Sequence, residues 1–470
     1  MIKFTPLLAL VFVLASCQLI SPRSAMKEVH SVVPQSWAGT KEGRAGIDTE
    51  WVKRFGDQEL NALVQKALDD NRSLQARAER LLQARRRAKI SGAAGRPQLS
   101  LGESGSRQQS RFLGFPGADG GVTYNSFGVS LNASWELDLW GRVRAGKKAQ
   151  VAAYEAQVWN LRAAEASLKA QVAKSWFALQ EAEGQAALAQ AAVEIRKQTR
   201  DAIQARFENA LINEGGTGAQ YRIAQSDVAS AEAELARWQG VVDNTARQLE
   251  LLVGDHAKGQ LRAKGGLPKL PAAPPKGLPS ELLLRRPDLL AAERVYSESL
   301  QRRVEATRAL FPSLSLTGSA GTATTALEQV LDSSFGIWSI GGGVTQYLLT
   351  GGRLQGERFS RKSESKARLI ELQDIVIRAL GEVETALAAE QFLRRQYQAM
   401  TKAANLAKDA AEAAQDDYRE GAADVQTLLS AETRYIQAAS TTLTLQRLLL
   451  ANRVDLHLAL GGDYNLNHKR

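Results

Sequence analysis

With 470 residues, a formal charge of +10 and only 6% aromatic residues, the chain is long enough for two or three ordinary domains or for one elongated object. Its Ala, Gln, Glu, Arg and Leu favour long helices over a compact β-sandwich. Lys and Arg are spread along helical stretches and no nucleic-acid-binding motif accompanies them, so they read as solvated helix faces and a nucleic-acid partner is excluded.

The chain opens with Met1-Ile2-Lys3, an apolar run from Leu7 to Leu14, and Ala15-Ser16-Cys17. The run is too short to cross a bilayer as a permanent helix. Positive start, apolar stretch and small-residue site make residues 1–16 a signal peptide. Cys17 is the only cysteine, so it has no disulfide partner, and it stands where cleavage falls. The stretch Leu-Ala-Ser-Cys resembles a bacterial lipobox, which implies acylation of Cys17. The alternative is a signal peptide that merely contains a cysteine. Two or more acyl chains anchor stably where one is marginal. Gln18, in place of Asp, resembles lipoproteins sorted to the outer membrane.

A helical stretch, SLQARAERLLQAR (73–85), precedes two extended runs at about 97–112 and 124–140. Within the second, SFGVSLNASWELDLW (126–140), Phe127, Val129, Leu131, Ala133, Trp135, Leu137 and Leu139 alternate strictly with Ser, Gly, Asn, Glu and Asp. The period then changes at GRVRAG. From Arg144 to about Leu211, 68 residues contain no proline, enough for a helix of roughly 100 Å. Val151, Tyr154, Val158, Leu161, Leu168 and Val172 form a 3-4 seam, interrupted at Glu165, and predict coiled-coil-like packing. The helix ends in NALINEGGTGAQ (209–220), and another follows at about 219–253.

Residues 259–280 contain five of the twelve prolines and read as a linker. Beyond it the pattern repeats. RPQLSLG (96–102) matches FPSLSLTG (311–318), and WGRV (140–143) matches GGRL (351–354). Extended runs are expected at about 311–325 and 334–350. The second long helix, to about Glu420, carries the seam Leu369, Leu372, Val376, Ala379, Val383. It ends in YREGAADVQ (418–426) and a helix follows at 424–460. The chain therefore divides into signal peptide 1–16, first repeat 17–258, linker 259–280 and second repeat 281–470, a duplication that means an elongated, symmetric architecture.

The alternating strands decide the setting. Apolar-out, polar-in alternation is what a membrane barrel requires, whereas a half-buried soluble strand needs a core on its apolar face. Four strands cannot close a membrane barrel, and open edges are not tolerated in a bilayer, so copies must share one: two copies give eight strands and three give twelve. On this reading Trp338, Ile340, Val344 and Leu348 share the lipid face with Phe127, Val129, Ala133 and Leu137, while Glu136 and Asp138 line the lumen.

Taken together, WELDLWGRVRAG (135–146), LLLRRPDLLAAERV (282–295), FPSLSLTGSAG (311–321), the LTGGR turn (349–353) and the repeat resemble the TolC-like outer-membrane efflux proteins, in particular their lipidated, NodT-type branch. The resemblance spans nearly all of 17–470. It implies a mainly α fold with a membrane β-barrel: a homotrimer whose four strands per chain build a twelve-stranded barrel that continues into a periplasmic helical barrel. A belt would include parts of about 30–60, 185–205, 255–280 and 395–410. Implied partners are a periplasmic adaptor, an inner-membrane pump of the RND type and outer-membrane lipid. The adaptor would dock at the hairpin tips, Asn213, Glu214, Gly215 and Gly216 on one and Gly421 and Ala422 on the other. A periplasmic gate would involve Tyr418 and Arg419. The family's usual gate Asp falls on Ser430, which shifts the carboxylates to Asp424, Asp416 or Asp417, since charges facing a tunnel select ions. A solvated helix face is the alternative for each Asp. The tip at 214–218 is also richer in Gly than the family's usual turn.

No enzyme chemistry is legible. His30, His256, His457 and His468 lack metal-ligand spacing, Gly341-Gly342-Gly343 lies in a strand without the Lys-Ser/Thr of a phosphate loop, and no nucleophile has a recognisable setting. No cofactor is expected. The competing reading is a helical lipoprotein that braces the envelope, which has no use for a lipid-compatible strand face.

Overall fold

The computed structural model describes residues 34, 50–110, 121–209, 217–274 and 285–462. Among them are seven α-helices and four strands: α1 (Gln58–Asp70), α2 (Arg72–Ser91), β1 (Gln98–Ser110), β2 (Val122–Leu137), α3 (Arg142–Glu208), α4 (Gly218–Leu252), α5 (Pro287–Arg308), β3 (Ser313–Thr324), β4 (Gly336–Thr345), α6 (Arg353–Arg419) and α7 (Val425–Ala459). The duplication is plain in these bounds: α3 and α6 are each 67 residues long, α4 and α7 each 35. A left-handed glycine precedes each long helix, Gly141 at φ 78° and Gly352 at φ 81°, a conformation that glycine alone adopts without penalty.

The chain forms two compact units, and each draws on both repeats. The first comprises described residues of 84–155 and 292–374. Its centre is one antiparallel sheet in the order β1-β2-β3-β4. The turn from β2 into α3 is built by the WELDLWGRVR stretch. Asp138 accepts hydrogen bonds from the backbone N–H of Val143 (3.0 Å) and Arg144 (2.8 Å), filling donors that a helix N-terminus leaves open. Glu136 receives both of its bonds from Arg142, at 2.8 and 2.7 Å. These two carboxylates are thus bound into the joint, with Glu136 on the polar face of β2 opposite Ser315. Trp140 stacks on Phe311 at 5.3 Å and donates to the Pro312 carbonyl at 2.7 Å, and Arg308 donates to the Gly141 carbonyl at 2.8 Å.

Small residues line the start of α3. Ala145, Ala149 and Ala152 are buried, while Val151, Tyr154 and Val158 of the expected seam are only half-buried. At this end of α3 alanines take over the buried line, because they let helix backbones approach closely; farther along, Leu168 and Val172 of the expected seam are buried. In α6 four of the five expected seam residues, Leu372, Val376, Ala379 and Val383, are buried, and Leu369 is half-buried.

The second unit comprises described residues of 50–83, 156–291 and 375–462, with residue 34. Its main core gathers Trp51, Phe55 and Leu60 onto Trp176, Phe177 and Leu179 of α3, with Leu249 of α4 and Leu450 of α7. Asp57 caps α1 through Leu60 N–H at 2.9 Å and accepts from Trp176 Nε1 at 2.7 Å. The proline-rich stretch is neither helix nor strand over 255–274, as its composition demands. It is nevertheless tied down. The buried Glu250 carboxylate accepts four backbone N–H groups, from Lys258, Gly259, Gln260 and Leu261. Gln446 reaches the Leu267 and Pro268 carbonyls, and the fully buried Arg453 reaches that of Pro271.

Candidate functional site

In the first unit the strand register sorts side chains into two faces. Odd-numbered residues of β1 and β2 pair with even-numbered residues of β3 and β4. One row across all four strands is Leu101, Leu131, Ala320 and Trp338; the next is Leu99, Ala133, Gly318 and Ile340. The opposite face carries Ser100, Asn132, Ser319 and Ser339 in one row. The apolar face is exposed rather than packed: Leu101 is 75% exposed, Trp338 77% and Ile340 82%. A soluble sheet buries that face against a second layer. The grouping of Trp338, Ile340 and Val344 with Val129, Ala133 and Leu137 is as expected, and Leu348 lies beyond the end of β4. Two glycines set the spacing on the polar face. A Cβ on Gly321 would stand 2.0 Å from the Val129 carbonyl oxygen, and one on Gly128 would stand 2.7 Å from that of Thr322. Among the described residues no helix is long and apolar enough to cross a membrane.

In the second unit the site lies where α6 turns into α7. Gly421 has φ 77°, and Ala422 and Ala423 both donate to the Asp417 carbonyl, at 2.7 and 3.2 Å, a glycine-assisted helix end. Asp424 caps α7 by accepting from Thr427 N–H at 2.7 Å; that bond holds its carboxyl below the usual carboxylate range. Arg419 and Asp416 pair at 3.2 Å on the surface, where such pairs contribute little. Tyr418 differs from its neighbours. It is 5% exposed and packs with Ala414 and Leu428. The Arg206 guanidinium lies over its ring, 4.2 Å from the centroid, and donates to its carbonyl at 3.2 Å. Burial raises the phenol pKa and the Arg206 charge opposes the rise. The phenol oxygen is buried without a hydrogen-bond partner among the described residues.

Farther from the turn, Arg196 of α3 pairs with Glu432 of α7 at 3.3 Å and donates to Thr433 Oγ1 at 2.7 Å. Glu432 is 4% exposed. Burial pushes its carboxyl up to about 6 against the opposing Arg196 charge.

Of the residues singled out in the sequence, Tyr418, Arg419, Asp416, Asp417, Gly421, Ala422 and Asp424 therefore fall within one turn and its flanks, with Ser430 exposed on α7 nearby. Cys17 and the tip residues Asn213, Glu214, Gly215 and Gly216 lie outside the described residues. Sequence reasoning missed Arg206, Arg196 and Glu432. Only Glu432 had a signal, as the one acid in LLSAE (428–432), two residues past the serine that replaces the expected Asp.

Comparison with known proteins follows the same lines. The family model described as outer membrane efflux protein matches residues 63–255 and 278–462. Outer membrane protein OprJ of Pseudomonas aeruginosa is 31% identical over 447 residues, covering 92% of this chain and 91% of OprJ. Cation efflux system protein CusC of Escherichia coli O6:H1 is 28% identical over 445 residues, covering 92% of this chain and 93% of CusC. The open state of the Neisseria gonorrhoeae MtrE outer membrane channel is similar at a TM-score of 0.79 and 29% identity, covering 92% of this chain and 96% of MtrE. The fold is the internally duplicated, TolC-like one, and the chain belongs to the outer membrane efflux protein family as an outer-membrane efflux channel.

Proposed function

We propose that three copies of this chain close a twelve-stranded outer-membrane barrel and that the assembly is the passive export duct of a tripartite efflux system. The observation that carries this reading is a pair of apolar rows that cross all four strands on one face, Leu101-Leu131-Ala320-Trp338 and Leu99-Ala133-Gly318-Ile340, with Leu99, Leu101, Leu131, Trp338 and Ile340 exposed. Only lipid stabilises such a face without a second protein layer, and the open edges β1 and β4 need neighbouring copies to satisfy their backbone groups.

The remaining assignments belong to the same proposal. Cleavage after residue 16 leaves Cys17 as the acylated anchor. The turns at Asn213–Gly216 and Gly421-Ala422 dock a periplasmic adaptor, through which an inner-membrane pump of the RND type supplies cargo and energy. Tyr418, Arg419, Asp416, Asp417 and Asp424 control the periplasmic end. The chain conducts and carries out no reaction, and cargo selection rests with the pump. Single-channel recording in planar bilayers tests it. The full chain should give a small conductance that rises when contacts at the α6–α7 turn are cut. A chain that inserts but never conducts would establish the envelope-brace reading instead.

A further inference from the structure

We propose that the ends of α2 and α6 next to the sheet form a binding site for anionic phospholipid headgroups at the seam between neighbouring copies. This rests on the shared-barrel reading.

Both helix ends lie in the first unit and are basic. The last turns of α2 and the residues before β1 carry Arg85, Arg86, Arg87, Lys89 and Arg96, all exposed. The first turns of α6 carry Arg353, Arg358, Lys362 and Lys366, also exposed. The two acids in that part of α6, Glu357 and Glu364, are both taken by Arg361, at 2.8 Å each. None of the nine exposed cations pairs with a carboxylate among the described residues.

Topology brings these two ends together. In the sheet order β1-β2-β3-β4 the unpaired edges are β1 and β4. Helix α2 leads into β1, and α6 follows β4. Pairing β4 of one copy with β1 of the next therefore sets the basic start of α6 beside the basic end of α2. Neither stretch offers acids to neutralise the other, and like charges so placed repel. An anionic ligand removes the conflict.

The chemistry of the surroundings selects a lipid over a free anion. Ile90 adjoins the α2 cations, and Tyr347, Leu348 and Leu349 lie between β4 and α6; all four are exposed. Cations beside exposed apolar side chains at the end of a lipid-facing strand match a phosphate headgroup and the start of its acyl chains.

Native mass spectrometry of the full chain, extracted from vesicles of mixed phosphatidylglycerol and phosphatidylcholine, tests the site. Wild-type trimers should retain phosphatidylglycerol in preference to phosphatidylcholine, and salt should weaken retention. Each cation neutralised should weaken binding about fivefold, so R85Q/R86Q/K89Q and R353Q/R358Q, made separately, should each lose most of the bound lipid while keeping the trimer mass. Equal retention of both lipids, or unchanged retention in both variants, overturns the inference. So does equal thermal stabilisation by millimolar inorganic phosphate alone. A conducting trimer indifferent to phosphatidylglycerol would end this inference only; absence of both trimer mass and conductance in the wild type would end the barrel reading beneath it.

Discussion

Arg206, in the last turn of α3, lays its guanidinium over the ring of Tyr418, near the end of α6, at 4.2 Å from the centroid. The contact joins two helices from different repeats, and the Tyr418 carbonyl adds a hydrogen bond from the same side chain at 3.2 Å. A cation over a partly desolvated ring is worth about 0.5–2 kcal/mol. Arg206→Ala is therefore expected to loosen the turn and raise single-channel conductance. Tyr418→Ala should cost about 3 kcal/mol through the lost ring packing. Tyr418→Phe should change stability by less than about 1 kcal/mol, because the phenol oxygen makes no hydrogen bond among the described residues. A thermal melt showing Tyr418→Phe as damaging as Tyr418→Ala would demonstrate a partner for that oxygen in the assembled protein.

The Arg196–Glu432 pair gives the same region a pH response. The carboxyl of Glu432 sits at about 6, raised by burial from 4.5. A group whose folded pKa is raised binds its proton more tightly in the folded state. Its contribution is fully present below about 4.5 and is lost as pH rises through 6. Acidifying from pH 7.5 to 5 should thus stabilise the wild type relative to Glu432→Gln, by on the order of 1–2 kcal/mol. Parallel melting curves for the two proteins across that range would show instead that Glu432 titrates like an exposed glutamate.

Much of the fold was legible because its signals are periodic and repeated. The switch from period two to period 3.5 marks the joint after Leu137, and the matched turns at Gly141 and Gly352 mark it twice. The hairpin-tip interactions were less legible. Arg206 and Tyr418 are 212 residues apart, and nothing in the stretch around Arg206 announces an aromatic partner. Arg196 and Glu432 meet only because α3 and α7 pack together. Residues 259–280 read as a linker from their prolines, yet the described part is ordered by side chains outside it, Glu250 before it and Gln446 and Arg453 far after it. Glu136 and Asp138 fit the strand alternation, but the arginines and open helix donors that follow claim them.

Gly321 should be the least replaceable residue of the sheet. A Cβ there would stand 2.0 Å from the Val129 carbonyl oxygen and 2.7 Å from Ser130 Cα, so backbone rather than a movable side chain blocks it. Gly321→Ala is expected to separate β2 from β3 and abolish the oligomer of the proposed barrel, read as loss of its band on unheated gels. Gly341→Ala should leave that oligomer intact, because a Cβ at Gly341 meets only Thr317 Oγ1, at an ordinary 3.5 Å.

Glu250 should order the stretch after α4. Burial alone would raise its carboxyl pKa, but the N–H groups of Gly259, Gln260, Leu261 and Lys258 together hold it below the usual range. Its contribution is therefore present above about pH 4.5 and fades as pH falls through the lowered value. Glu250→Ala should cost about 2 kcal/mol and release amide protection at 258–261 in hydrogen exchange, with α3 unaffected. Protection unchanged at those four amides would mean that the other ties, from Glu183, Gln446 and Arg453, suffice to hold the segment.

Asp424 is where two roles can be separated. Its carboxylate caps α7 by accepting from Thr427 N–H at 2.7 Å, and it is also an exposed charge in the turn that follows Tyr418 and Arg419. Asparagine caps a helix about as well as aspartate, while alanine does not. Asp424→Asn therefore keeps the cap and removes only the charge; Asp424→Ala removes both. If the charge acts on permeating ions or on a neighbouring copy, both variants should shift conductance or ion selectivity, and the melting temperature should fall in Asp424→Ala alone. If Asp424 is a cap and nothing more, Asp424→Asn will conduct like the wild type, and control of the periplasmic end will fall to Tyr418 and the cations around it.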